Sequence, residues 1–245
     1  MTNTTLPMDI ARHRIKIDAP GAVAIWIPFV VFVALVIGLV AYFGEIRTSG
    51  WEKATQLPRW YAGAIGVYMT ALYLPVYIAH GRTRREFLKQ APVAILVTTT
   101  VLAMLMAIGF AIESFAYRIA DWPQTLSSTH LFESPTEFGL VFLEFWLAFV
   151  VWMVAGTFLG AGFYRNPGLG FLMLPVALLA VSLVEGSLGG NATVSALPPL
   201  LSLFDIIPQS GTVGRAVATA AGCSAVGWLI TWLVARDLPV KTKAA

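Results

Sequence analysis

At 245 residues, 58% of them hydrophobic and only 12% charged, the chain has about half the charge fraction of an ordinary soluble domain, which excludes a water-soluble globule. The net charge of +3 comes from 16 Lys and Arg concentrated in particular loops, a pattern of membrane orientation, so nucleic acid is discounted as a partner. A single cysteine, Cys223, in an apolar stretch rules out an intrachain disulfide framework and a Cys-based metal cluster.

The expected fold is an all-α membrane protein with six transmembrane helices, because a span needs roughly 20 mostly apolar residues and six such windows fit with little left over. Residues 1–21 form the first unit. There Met8, Ile10, Ala11, Ile15 and Ile17 interleave with Arg12, His13, Arg14 and Lys16, which predicts an amphipathic arm lying in the cytoplasmic interface. No cleavable signal is expected, since the first apolar run starts near Ala22. Pro20 and Gly21 are expected to break the arm from the six-helix domain of residues 22–245.

The spans are expected over about 22–43, 60–78, 91–115, 139–163, 169–188 and 212–235. Between the first two, Glu45, Arg47, Glu52 and Lys53 nearly balance, with Trp51 and Trp60 expected as interfacial anchors. Between the second and third lies Gly81–Gln90, GRTRREFLKQ, with four cations in ten residues. Thr83 and Glu86 are spaced as a capping box, which predicts a short helix with Arg84, Phe87 and Leu88 along one face. Such a helix would dock a partner better than a bare charge cluster, although plain membrane orientation and anionic headgroups are alternative readings.

Gly156 and Gly160, four apart in the fourth span, fall on one face and allow close backbone approach to a neighbouring helix. Gly189–Gly211, broken by Pro198, Pro199 and Pro208, reads as a re-entrant or interfacial hairpin before the last span. Eleven of the Lys and Arg fall on the side of the arm and of Gly81–Gln90, five on the other, so both termini are expected in the cytoplasm.

Three carboxylates, Glu113, Glu144 and Glu185, fall within or at the ends of spans on the outer side, where an uncompensated charge is costly. They could form a polar surface for a cation or amine in an exit path. They could equally be protonated, or bonded to backbone, Ser and Thr groups near the interface. His130 is expected on the opposite side from His13 and His80, so the three histidines cannot share a metal, and no metal or catalytic site is expected. P-loop, G-x-S-x-G and H-E-x-x-H patterns are absent.

The run G-R-T-R-R-E-F at Gly81–Phe87 resembles the signature of the first cytoplasmic loop in ABC-2 type exporter permeases, six-span subunits whose ATPase is a separate chain. The ending G-x-x-x-G-A-G-F-Y-R-N-P-G-L-G from Gly156 to Gly170 is similar to the turn between their fourth and fifth spans. The resemblance implies a coupling helix at Gly81–Gln90, with Arg82, Thr83, Arg84, Arg85, Glu86 and Phe87 at the contact with the ATPase. It implies an interface helix carrying Arg12, Arg14 and Lys16, a homodimer with two ATPase chains that bind ATP and Mg, and a bacterial plasma (inner) membrane location. No cofactor is expected in this chain, and it would be no enzyme by itself. Spans this apolar favour a lipophilic or amphipathic cargo such as a drug, lipid or hydrophobic peptide. The alternatives are an ion-coupled secondary transporter, a membrane enzyme or oxidase subunit, and a structural subunit of a membrane complex.

Overall fold

A computed structural model describes residues 8–189 and 212–238. The chain is an all-α membrane protein in which six helical segments are long and apolar enough to cross a bilayer. The first is α1 (Met8–Phe43); the second is assembled from α2 (Gly50–Ala54), α3 (Gln56–Tyr68), a π-helical turn (Met69–Tyr73) and α4 (Leu74–Ala79). The others are α5 (Arg84–Ile119), α6 (Phe138–Arg165), α7 (Pro167–Ser187) and α8 (Val213–Ala235). They alternate in direction. The α4–α5 and α6–α7 connections therefore share one end of the bundle with the end of α8, and the α1–α2 and α5–α6 connections share the other.

α6 is the central post: 61% of its apolar window is buried, against 17% for α1, which lies at the edge. Small residues make the central packing possible. A Cβ on Gly66 would strike the Met153 carbonyl, one on Gly156 the Gly63 carbonyl, and one on Gly160 the Thr70 hydroxyl, so α3 and α6 meet almost backbone to backbone. Thr70 reinforces the seam by donating to the Thr157 carbonyl at 2.7 Å. The π-helical turn has a local cause in Pro75, whose ring would crowd the carbonyl of Ala71; widening the turn relieves that clash without unwinding the span.

Four expectations are corrected. The backbone of α1 is one helix through Pro20 and Gly21. A proline removes only one helical hydrogen bond, and a segment entering a bilayer must keep the rest internally satisfied. The capping box at Thr83 and Glu86 is present, but the helix it opens is the third span itself, running through Pro92 to Ile119. Burial of Phe87, Leu88 and Ala91 beside the end of α8 holds those first turns in line with the rest. Trp51 is no interfacial anchor: it is buried at 4% exposure against Trp26 and Phe29, with its indole over Gly109. The second crossing also begins earlier than expected, at Gly50, where Ser49 caps α2 by accepting from the Glu52 amide. The expected hairpin around Pro198 to Pro208 and the last residues of the basic tail lie outside the described residues.

Candidate functional site

Two ends of the bundle carry its polar chemistry. At the end where α1 meets α2, the 120–137 loop is fastened to the helices through carboxylates. Glu52 accepts from the Ser127 and Ser128 amides, each at 2.8 Å, and from the Ser127 hydroxyl at 2.9 Å. His130 lies between two carboxylates, with Nδ1 at 2.7 Å from Glu144 and Nε2 at 3.3 Å from Glu52. Its ring stacks on Phe132, and the next amide, that of Leu131, donates to Glu144 at 2.8 Å. Burial alone would disfavour a charged imidazole here. The hydrogen bonds to Glu144 and Glu52 outweigh it and raise the His130 pKa from 6.5 to about 9, so the ring is an imidazolium donating from both nitrogens at neutral pH.

Glu113 and Glu185 lie at the same end in their own settings. Glu113 accepts from the Ser49 hydroxyl at 2.5 Å, the Trp51 amide at 2.7 Å and the Gln124 side chain at 2.8 Å. Glu185 faces Arg59 at 3.3 Å and accepts from the Trp152 indole at 2.9 Å, while the Arg59 guanidinium stands over Phe145. The three carboxylates thus go to three partner sets within the chain. Each is buried and takes its contacts from amides, hydroxyls, an indole or a facing cation of the same chain, as a buried polar group must. Thr129 donates to the Gly189 carbonyl, which ties the same loop to the end of α7.

The opposite end is built differently. Gly81, at φ 76°, stops α4: its amide donates to the Ile78 carbonyl at 2.9 Å and that of Arg82 to the Tyr77 carbonyl at 3.3 Å, a paired closure that needs a left-handed residue. Two residues later, Thr83 and Glu86 exchange side-chain and backbone bonds and start α5. The elbow is therefore locked on both sides. Arg82, Arg85 and Lys89 stand exposed, and none of them pairs with a carboxylate among the described residues. Thr83 and Glu86 are exposed but engaged in the cap.

Phe87 is a different case from its neighbours. It is buried at 7% exposure, edge-on to Tyr77 and grouped with Leu88, Val234, Ala235 and Leu238, so a partner at the elbow would meet cations and not this ring. Arg84 is half-buried and donates to the Leu238 carbonyl at 3.0 Å; Arg165 reaches the Val234 carbonyl at 3.4 Å. Both cations complement the carboxyl end of α8. Arg12, Arg14 and Lys16 lie on the first turns of α1, with their side chains outside the description. Among the described residues no group of His, Cys, Asp and Glu is arranged to hold a metal.

Glu52, Arg59 and His130 were not singled out as site residues from the sequence. Only Glu52 had a local signal, its place three residues after Ser49 in S-G-W-E, a second capping-box pattern. His130 lies 78 residues from Glu52 and 14 from Glu144, and nothing local marks it. No family model, curated protein or solved structure matches the chain.

Proposed function

We propose that the chain is the membrane-spanning permease subunit of an ABC-type exporter of the ABC-2 kind, acting as a homodimer with two copies of a separate nucleotide-binding ATPase that bind ATP and Mg. The observation that carries the reading is the locked cationic elbow between α4 and α5. Its exposed Arg82 and Arg85, which pair with no carboxylate among the described residues, suit an acidic groove on a soluble partner. Its rigidity suits the transmission of force: Phe87 and Leu88 pack beside the end of α8 and Arg84 bonds the Leu238 carbonyl, so a push at Arg82 would move α4, α5 and α8 together. On this reading the elbow faces the cytoplasm of a bacterial plasma membrane, as the cation bias favours, and α1 approaches the ATPase through Arg12, Arg14 and Lys16. Cargo would be lipophilic or amphipathic, since the spans offer few polar groups.

The test is purification from its native membrane followed by identification of associated chains and assay of ATP hydrolysis. The expected result is a co-purifying ATPase, lost at least tenfold in Arg82→Glu/Arg85→Glu while the variant still inserts and folds. A preparation without an ATPase chain, or charge reversal that leaves association and hydrolysis unchanged, sinks the proposal.

The buried Glu52–His130–Glu144 system favours a second reading, ion-coupled secondary transport. Its position at one end of the bundle, away from the midplane, makes that reading the weaker one. Proton uptake coupled to solute flux in vesicles, without any ATPase, would reverse the order.

A further inference from the structure

Among its described side chains, α1 has an aromatic clasp to the bundle near its middle. Trp26 and Phe29 pack with Trp51 at ring separations of 5.1–6.4 Å, and Val33 is buried beside them, whereas Phe32, Val36 and Val40 are exposed. Beyond that aromatic clasp Ile37 rests against Gly50, and beside this contact a cleft of about 320 Å³ opens between α1 and residues 45–54. One wall is the helix face of Phe32, Val33, Val36, Ile37 and Val40, a strip of about 12 Å at 1.5 Å per residue. The mouth, at the level of the helix ends, carries Glu45, Arg47 and Lys53.

We infer that this cleft is a binding site for an anionic phospholipid, with one acyl chain along α1 and the phosphate between Arg47 and Lys53. Three observations converge on that occupant. The strip's length is close to the roughly 15 Å hydrocarbon depth of one leaflet. Along the α1 wall water would find no polar partner, and Ser49 and Tyr117, which also line the cleft, are bonded to Glu113 and to the Gly50 amide. The mouth has two cations against one acid: Lys53 donates one proton, to Ser127 at 2.7 Å, and keeps two for a phosphate, while Arg47 is held toward the same mouth by Glu45 at 2.7 Å. The inference goes beyond the permease proposal and needs no ATPase, so the two stand or fall separately.

The experiment counts lipid retained per chain by native mass spectrometry, after adding dioleoyl phosphatidylglycerol or dioleoyl phosphatidylcholine to the purified full-length protein. Wild type is expected to prefer the glycerol lipid by roughly fivefold: each cation adds about fivefold, the factor matching about 1 kcal/mol of headgroup attraction, and Glu45 takes one such factor back. Arg47→Gln/Lys53→Gln should abolish the preference, Lys53→Arg should keep it, and Glu45→Gln should strengthen it about fivefold, to roughly 25-fold. Ile37→Trp, which fills the cleft, should release both lipids. Because Arg47 and Lys53 are exposed, their variants keep the test decisive even if Ile37→Trp misfolds. Equal retention of both lipids by wild type, or a preference that survives loss of both cations, overturns the inference. So does efficient cross-linking of two Val40→Cys copies in the membrane with lipid retention unchanged, which would assign the cleft to a second copy.

Discussion

The two ends of this bundle hold charge in opposite ways. At the α1–α2 end, Glu52, Glu113, Glu144 and Glu185 are buried and matched by Arg59, His130 and backbone amides, so the charges there organise the chain itself. At the α4–α5 elbow, Arg82, Arg85 and Lys89 are exposed and meet no carboxylate among the described residues, while the neighbouring fold rests on Phe87, Leu88 and two helix caps. A buried charge matched within the chain has little left to offer a partner; an exposed one on a rigid mount has everything left. The contrast makes the buried carboxylates of the first end a structural clamp and the elbow a contact surface for a soluble partner.

The largest effect should come from breaking the clamp at its cation. His130→Ala leaves Glu52 and Glu144 buried without their shared imidazolium, and breaking a buried pair in this way typically costs about 3–5 kcal/mol. Thermal unfolding in detergent should show that loss, with hydrogen exchange rising first at Ser127 and Ser128, the amides held by Glu52. Unchanged stability would mean that the loop docks without the imidazolium and that the two ends differ less than their geometry indicates.

A pH titration applies the same perturbation more gently, because it removes the charge and keeps the ring. The folded pKa of His130 lies above its unfolded value, about 9 against 6.5. The associated stability is therefore fully present below pH 6.5 and is lost as pH rises through about 9, with an upper bound of about 3 kcal/mol. Wild type should loosen at the 120–137 loop between pH 7 and 10 while the elbow amides stay protected, and His130→Ala should flatten the response. Uniform loosening at both ends would refute the separation.

Much of this contrast was legible in the sequence, for physical reasons that differ by element. The spans follow from hydropathy, a local average, and the Thr83 cap from residues three apart. The cation bias toward Gly81–Gln90 was likewise readable by counting. What escaped depends on contacts distant in sequence. Phe87 reads as a partner contact until Val234 and Leu238 are placed beside it, and His130 reads as a lone loop histidine until Glu52 arrives from 78 residues away. Helix continuity escaped for another reason: Pro20 and Pro92 are breakers in water, but a helix entering the bilayer gains more by keeping its remaining backbone bonds internal than it loses at one proline.

The smallest effect on stability should come from the exposed cations of the elbow. Arg82→Gln/Arg85→Gln removes no contact that holds the elbow, because the turn is closed by backbone bonds at Gly81 and Arg82 and by the cap at Thr83, none of which uses a guanidinium. The unfolding free energy should stay within about 0.5 kcal/mol of wild type, the usual range for surface changes, and the midpoint should not move with salt. Association with a soluble partner should instead weaken and lose much of its salt dependence, since the removed cations act across an interface. If the variant were destabilised as strongly as His130→Ala, the guanidiniums would be structural, and the elbow would be a second clamp in place of a contact surface.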